Sequence, residues 1–209
     1  MSGTQIRLNK LFDRGSNAVV VAVDHGMFDG PLPGMLDLPE VVRKIEPQVD
    51  AVLLAPGMIR HCAHAFDYKG APMAMARLNW SSHFCFHWDY DEGIAVPVAS
   101  AAEVAASGAE IALVCLTLHT DSEAQDAANV EVFCHLVNEA KRAGLPVVGE
   151  YFPARPDRMS PEELHDDIYK GCRIIAELGA DLIKTFHTQR FAEVAASCPI
   201  PVLGLGAEK

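Results

Sequence analysis

The sequence predicts an α/β fold with a parallel sheet, and three features support that prediction. Seven short apolar runs recur along the 209 residues, each bounded by polar or glycine-containing turns. Most of these runs lack strict alternation, which is typical of strands buried on both faces. Helix-like segments separate the runs, and strands that alternate with helices pair in parallel through right-handed crossovers.

The predicted strands are rich in Val, Ile, Leu and Ala. In chain order they are Ala18–Val23, Ala51–Ala55, Met73–Leu78, Ile111–Leu116, Pro146–Glu150, Ala180–Ile183 and Pro201–Leu205. A weak internal sequence similarity indicates one repeated βα unit, because Gly108-Ala109-Glu110-Ile111 resembles Gly179-Ala180-Asp181-Leu182.

The predicted helices carry the expected end signals. Ser160-Pro161-Glu162-Glu163 places a capping serine before a proline in the first turn, and Gly144 and Gly179 each follow a helix end. The predicted helices are Leu38–Ile45, Ala101–Ser107, Asp126–Ala143, Pro161–Leu178 and Arg190–Ser197.

Seven βα units favour a (β/α)8 TIM barrel over an open doubly wound sheet, and the chain has neither a GxGxxG nor a GxxxxGK[ST] fingerprint. A typical barrel has about 250 residues. We therefore expect one domain over residues 1–209 that lacks the eighth strand and its helix. Such a barrel has two open sheet edges, which favour self-association or a partner element, so we expect a homo-oligomer.

Composition limits the classes of partner. The formal net charge of −11 argues against nucleic acid, which binds basic patches. No apolar window is long enough to span a membrane and no signal-peptide core is present, so we expect a cytoplasmic protein with no membrane partner. The six cysteines form no CxxC pair, and several lie in apolar runs, as reduced core residues do.

The most informative candidate is Lys184, at the end of the apolar strand Ala180–Ile183. Burial there lowers the pKa of a lysine, and a neutral amine is the nucleophile that forms a Schiff base with a carbonyl substrate. The alternative is a lysine that extends its amine to the surface. Asp24 follows the first strand on the inward face, so both side chains are predicted at the mouth of the barrel.

The motifs at these strands resemble those of a known family. Val20-Val21-Ala22-Val23-Asp24-His25-Gly26, followed by Gly30-Pro31 and Pro33-Gly34, is similar to the opening of archaeal-type class I fructose-bisphosphate aldolases. That group includes aminodeoxyheptulosonate synthase and the autoinducer-processing thiolase. The resemblance continues through Glu177-Leu178-Gly179-Ala180-Asp181-Leu182-Ile183-Lys184-Thr185 and covers nearly the whole chain.

The resemblance implies a (β/α)8 fold, Lys184 as Schiff-base residue and Asp24 as its acid–base partner. It also implies cleavage or formation of a carbon–carbon bond in a phosphorylated ketose, with no metal or other cofactor. By position, we expect His25, Arg155, Thr185, Gly204 and Gly206 to contact the substrate.

The chain departs from the family pattern at three places. The family's acidic tyrosine on strand five is replaced by phenylalanine within Glu150-Tyr151-Phe152-Pro153, so the acid is Tyr151, Glu150 or absent. The family's Gly-Gly after strand seven is Gly206-Ala207 here, and its Gly-Arg phosphate clamp on strand eight has no counterpart. A transferase or thiolase on a related keto sugar, or a non-catalytic binding protein, therefore stays open.

Histidines and cysteines cluster in two short segments, Arg60-His61-Cys62-Ala63-His64 and His83-Phe84-Cys85-Phe86-His87. These side-chain types suit zinc, but the spacings are not those of zinc knuckles. We expect a packed aromatic loop here and no metal site.

Overall fold

The computed structural model describes residues 2–13, 15–46 and 48–206. The strands are β1 Val20–Ala22, β2 Ala51–Leu54, β3 Met73–Arg77, β4 Asn79–Ser81, β5 Ala95–Pro97, β6 Ile111–Leu116, β7 Val147–Tyr151, β8 Leu182–Phe186 and β9 Val202–Leu205. The α-helices are α1 Gly3–Leu11, α2 Gly26–Asp29, α3 Leu38–Val42, α4 Ala101–Ala106, α5 Glu123–Arg142, α6 Pro161–Glu177 and α7 Phe191–Ser197. Three 3-10 helices cover Pro56–Ala65, Ser82–Phe84 and Pro156–Arg158.

Seven strands form one parallel sheet in the order β1-β2-β3-β6-β7-β8-β9. This is the order of seven successive strands in a (β/α)8 barrel, and the sequence-based prediction of fold class is confirmed. Within the described residues, no strand joins β1 to β9, so the sheet is a barrel without its eighth strand. The remaining pair, β4 and β5, forms an antiparallel hairpin above β3 that the sequence analysis did not predict.

Four of the seven described α-helices, α1, α4, α5 and α6, begin where a serine side chain accepts a hydrogen bond from the first turn. In α6, Ser160 and Glu163 form a reciprocal capping box, and Ser100 and Glu103 do the same for α4. Helix α5 begins three residues before its predicted start because Ser122 accepts a hydrogen bond from the Gln125 amide at 3.3 Å. None of the described helices has the length and apolar character that crossing a membrane requires.

The lower barrel interior is apolar and is closed by α1. Inward-facing residues of five strands meet Leu11 from this helix in one cluster, namely Ala51, Leu53, Met73, Met75, Ile111, Leu113, Val148 and Leu182. Helix α1 was not predicted because its residues show no clear apolar face, and Leu11 is its one buried residue. We call this cluster the apolar floor. Polar side chains of the barrel interior lie above it.

The strand register brings polar residues together one step above that floor. Cys115, Glu150, Lys184 and Leu203 are register partners on β6, β7, β8 and β9. Arg77 and Asp24 lie at the corresponding ends of β3 and β1. Alternate residues of a strand face the same side, so these side chains point into the barrel mouth.

The outer face of β7 packs against α6 through a close approach. A Cβ atom at Gly171 would lie 2.2 Å from the ring of Tyr151, which is buried between the two elements. Only glycine leaves room for the ring, so this pair sets the spacing between strand and helix.

We predict that Gly171→Ala destabilises the protein by about 1–3 kcal/mol, the usual cost of overpacking a core. Without the contact, alanine within a helix would stabilise by about 1 kcal/mol relative to glycine. The free energy of unfolding from urea titrations measures the change. Gly57→Ala is the control, because no atom apart from those of the adjoining backbone and neighbours lies within 4 Å of the position that its Cβ would take.

A double-mutant cycle isolates the contact. Gly171→Ala should cost much less in a Tyr151→Ala background than in the parent protein. An equal cost in both backgrounds would refute the packing argument.

Candidate active site

Lys184 lies at the mouth of the barrel on β8. Its side chain is 21% exposed, so it is mostly enclosed but still accessible from solvent. The Nζ atom donates a hydrogen bond to Oε1 of Glu150 on the adjacent strand β7. The amine therefore points across the mouth toward a carboxylate and not out to bulk solvent, as the alternative interpretation required.

Glu150 is almost completely buried and contacts two cations. Its Oε2 atom lies 2.7 Å from Nη2 of Arg77, and its Oε1 accepts from Lys184. Burial opposes ionisation, but the charges of Arg77 and Lys184 outweigh it and lower the pKa of Glu150 from 4.5 to about 2. Glu150 is thus a carboxylate throughout the neutral range.

Arg77 connects this carboxylate to Asp24. Its Nε atom donates to Oδ2 of Asp24 at 2.5 Å, and both side chains are buried. The guanidinium also packs against two aromatic rings that contact each other, 5.1 Å from the centre of Phe28 and 5.0 Å from that of Phe84. Burial alone would lower its pKa, but Glu150 and Asp24 raise it above its ordinary value, so Arg77 stays charged.

Asp24, Arg77, Glu150 and Lys184 thus form a continuous chain of alternating charge, which we call the charge chain. Cys115 shares the interior layer, and burial together with Glu150 raises the pKa of its thiol, so it stays neutral.

Aromatic side chains cover the charge chain. Phe152 and Phe186 follow Glu150 and Lys184 on the same faces of β7 and β8, and their ring centres lie 4.7 Å apart. Phe84 and His83 pack against Phe152 at 4.5 and 4.8 Å. Burial, more than the charge of Arg77, lowers the pKa of His83 to about 3, so this imidazole is neutral. This layer makes the surroundings of Lys184 apolar on its outer side.

The structure distinguishes the two candidates, Glu150 and Tyr151, for the acid on the fifth barrel strand, which is β7. Strand β7 is regular, with Cys115 opposite Glu150 and Leu116 opposite Tyr151, so Glu150 faces the mouth and Tyr151 faces α6. The Tyr151 hydroxyl donates to Oδ2 of Asp167 at 2.8 Å. Burial and Asp167 raise the pKa of Tyr151 above its ordinary value. The structure therefore brings Glu150, and not Tyr151, to Lys184.

The five expected substrate contacts are less closely grouped. His25 is exposed at the start of α2, and Arg155 pairs with Asp121. Thr185 faces α6 and donates to the Tyr151 carbonyl at 3.2 Å, on the side of the sheet opposite Lys184. Gly204 lies on β9 and Gly206 follows it, while Ala207 is outside the described residues. None of these five residues contacts the charge chain among the described interactions. Each lies either on the other face of its strand or farther along the chain than the strand end.

Sequence reasoning missed Arg77 as a functional residue. The available signal was an arginine on the inward face of the buried run Met73–Leu78, at the same strand end as Asp24 and Lys184. The aromatic cover was foreseen only in part, because Phe84 is buried whereas Phe86 and Trp88 are each 63% exposed. In the described ranges, no group of three or more His, Cys, Asp or Glu side chains is placed to hold a metal ion.

A lysine held by a buried carboxylate at the carboxyl ends of parallel strands can act chemically as a nucleophile toward a carbonyl compound. Comparison with known proteins specifies the class. The family model described as DeoC/LacD family aldolase matches residues 18–206, and the chain belongs to this family.

Three similar proteins illustrate the relationship. An uncharacterised aldolase of Saccharolobus solfataricus is 30% identical over 214 residues, covering 100% of this chain and 78% of that protein. The 3-hydroxy-5-phosphonooxypentane-2,4-dione thiolase of Photorhabdus laumondii is 25% identical, covering 99% of this chain and 67% of its own length. A structure of an archaeal fructose-1,6-bisphosphate aldolase, with its catalytic lysine bound to a carbinolamine intermediate, superimposes with a TM-score of 0.77 at 21% identity, covering 99% of this chain and 81% of that one. The predicted family resemblance is confirmed.

We predict that Glu150→Gln lowers the free energy of unfolding at pH 7 by about 3–5 kcal/mol, because it leaves Arg77 buried beside a neutral partner. The folded pKa of Glu150 lies below its unfolded value, so its contribution is complete above about pH 5. The contribution is lost as the pH falls toward about 2. Unfolding titrations from pH 7 to acid should show the two proteins converging.

Glu177→Gln is the matched control, because Glu177 forms an exposed ion pair with Arg173. Glu177→Gln should lower the free energy of unfolding by less than about 1 kcal/mol. A Glu150→Gln difference that is equally small, or that grows in acid, would contradict the assignment of a buried ionised carboxylate.

Proposed function

We propose that this protein is a Schiff-base-forming, class I aldolase in which Lys184 is the nucleophile. The observation that carries the proposal is the contact between the Lys184 amine and the buried carboxylate of Glu150, at the reachable mouth of the barrel. Membership of the DeoC/LacD aldolase family supports it.

Glu150 is suited to move the proton that Schiff-base formation requires. Its carboxylate takes a proton from the Lys184 ammonium, and the free amine then attacks the substrate carbonyl carbon. As the carbinolamine forms, the attacking nitrogen loses one proton and the former carbonyl oxygen gains one. Glu150 then returns its own proton to that oxygen, which leaves as water. The product is a protonated iminium, and Glu150 is again a carboxylate.

The charge chain changes the pKa of Glu150 during these reaction steps. Lys184 is one of two cations that lower the pKa of Glu150, so that pKa rises as Lys184 gives up its proton. When the iminium forms, positive charge returns beside Glu150 and is stabilised by the carboxylate. The low dielectric constant under the aromatic cover strengthens that attraction.

Arg77 and Asp24 have different tasks. Arg77 is a positioning residue, since it holds both carboxylates in place. Asp24 lies at the far end of the charge chain and lines an adjoining cavity, where it can contact the part of the substrate that does not bind Lys184. The iminium draws electrons from the neighbouring carbon, so carbon–carbon cleavage or formation needs no metal or other cofactor.

We propose a small phosphorylated keto sugar as the substrate class, which follows from the family resemblance. The relationship to the Photorhabdus thiolase makes a transferase or thiolase the second candidate. The position of Tyr151 favours that alternative, because its phenol is bound to Asp167 and is turned away from Lys184. Both candidates form the same adduct on Lys184.

We further propose that residues 1–209 act as one domain, and that the protein works in the cytoplasm as a homo-oligomer. The free outer edges of β1 and β9 among the described residues support self-association.

The experiment that tests the proposal traps the Schiff base. We predict that incubation with dihydroxyacetone phosphate and borohydride leaves a reduced adduct on the peptide that contains Lys184, because borohydride converts the iminium to a stable secondary amine. Peptide mass spectrometry locates the adduct, and a panel of ketose phosphates extends the test to other substrates.

Lys184→Met should abolish the adduct. Lys170→Met is the matched control, because Lys170 is exposed on the neighbouring helix α6. Glu150→Gln should slow adduct formation by at least about tenfold, as general acid–base catalysis typically contributes 10²–10⁴-fold. A folded protein that gives no adduct at any lysine would instead be a non-catalytic binding protein.

A further inference from the structure

The β4–β5 hairpin has a reversed polarity for a hairpin at a protein surface. Antiparallel pairs at a surface usually bury an apolar face and expose a polar one. Here the polar residues Asn79 and Ser81 lie on the buried face and are 0% and 1% exposed. Trp80 lies between them in the chain and so faces the other side, where its register partner Val96 is 43% exposed. The apolar side chains of the hairpin therefore point away from the barrel.

Hydrogen bonds hold the polar face of the hairpin against the barrel. The Asn79 side chain donates to the Cys115 carbonyl and accepts from the Cys115 amide, each at 2.8 Å. The buried Asn129 side chain on α5 accepts from the Ala95 amide at 3.1 Å and donates to the Gly93 carbonyl at 2.8 Å. The hairpin cannot turn its apolar face inward without breaking these bonds, so that face stays on the surface of the single chain.

The exposed apolar area is large for one hairpin. Ile94, Val96 and Val98 follow the two-residue period of β5 and are 39%, 43% and 44% exposed. The loop that connects the two strands adds three aromatic side chains that are 63%, 63% and 52% exposed, namely Phe86, Trp88 and Tyr90. With Trp80, these seven side chains form what we call the apolar hairpin face. They expose on the order of 500 Å², a patch size that marks an interaction site.

We propose that a second copy of this chain covers the apolar hairpin face, and that the two hairpins pack face to face in a two-fold symmetric dimer. Apolar sheet faces pack on each other about 10 Å apart, and a face that packs on its own copy forms a two-fold interface. Two copies bury on the order of 1,000 Å², the area at which specific interfaces begin. The inference rests on the homo-oligomer of the proposed function and names the surface that forms it.

Acidic residues set the relative direction of the two hairpins. Asp89, Asp91 and Glu92 lie in the connecting loop, and residues 79–98 contain no Lys or Arg. A two-fold axis through Val96 makes the two hairpins antiparallel and places the two acidic loops at opposite ends of the interface. The stretch from Ile94 to Val98 alone spans about 13 Å, which exceeds the Debye length of about 8 Å at physiological salt. Repulsion between the loops is therefore screened in this arrangement.

Sedimentation velocity from about 1 µM to about 100 µM tests the dimer, because small interfaces give micromolar dissociation constants. The parent protein should be dimeric at the upper concentration. Val96→Lys places an ammonium group at the centre of the interface and should raise the dissociation constant at least about tenfold. Val19→Lys is the matched control, because Val19 is 57% exposed beside the open edge of β1, and it should leave the dissociation constant unchanged.

A parent protein that stays monomeric over this range would overturn the inference. A dimer that Val19→Lys dissociates and Val96→Lys leaves intact would also overturn it, because the copies would then meet at the open edge of the sheet. Neither result bears on the Schiff base, which the borohydride experiment decides on its own.

Tryptophan fluorescence gives a second measurement, because both tryptophans of the chain, Trp80 and Trp88, lie in the hairpin. Dilution should raise the acrylamide quenching constant at least about 1.5-fold, since the core of an interface is shielded from water. Val96→Lys should show the higher value at every concentration. A dimer in sedimentation whose quenching constant does not change on dilution would contradict the assignment of this face.

Discussion

Arg77 is the residue on which the whole site depends, because one buried guanidinium serves two buried carboxylates. It binds Asp24 from β1 and Glu150 from β7, so it connects opposite sides of the barrel mouth. Two carboxylates in an apolar interior would otherwise take up protons or destabilise the fold. The rings of Phe28 and Phe84, which pack against each other, also contact the guanidinium. With this arrangement, Glu150 remains charged where Lys184 needs a proton acceptor.

The rest of the barrel is arranged around this polar layer. The apolar floor and α1 exclude water from below, and the rings of Phe152 and Phe186 restrict it from above. Electrostatic attraction between Glu150 and a cation on Lys184 is strong in such surroundings. Asp24, at the far end of the charge chain, also lines a mainly apolar cavity. The barrel mouth thus has a charged centre and largely apolar surroundings.

The sequence predicted the parallel strands and the inward position of Asp24 and Lys184, because apolar runs and the two-residue strand period are local features. It left Glu150 and Tyr151 as alternatives, since only the register with β6 shows that β7 has no bulge. Arg77 was not predicted, because its role depends on partners 53 and 73 residues away in the chain. Helix α1 was also missed, since it is largely polar and the burial of Leu11 depends on the barrel floor that the helix covers.

The most direct measurement is the titration of the Glu150 carboxyl group by ¹³C NMR, with the signal assigned by its loss in Glu150→Gln. If Arg77 and Lys184 hold this group ionised, its midpoint lies near pH 2, well below the ordinary value of 4.5. In Arg77→Met the midpoint should rise, because one of the two cations is gone. A midpoint at or above the ordinary value in the parent protein would contradict the account, since Glu150 would then not be the ionised partner of Lys184.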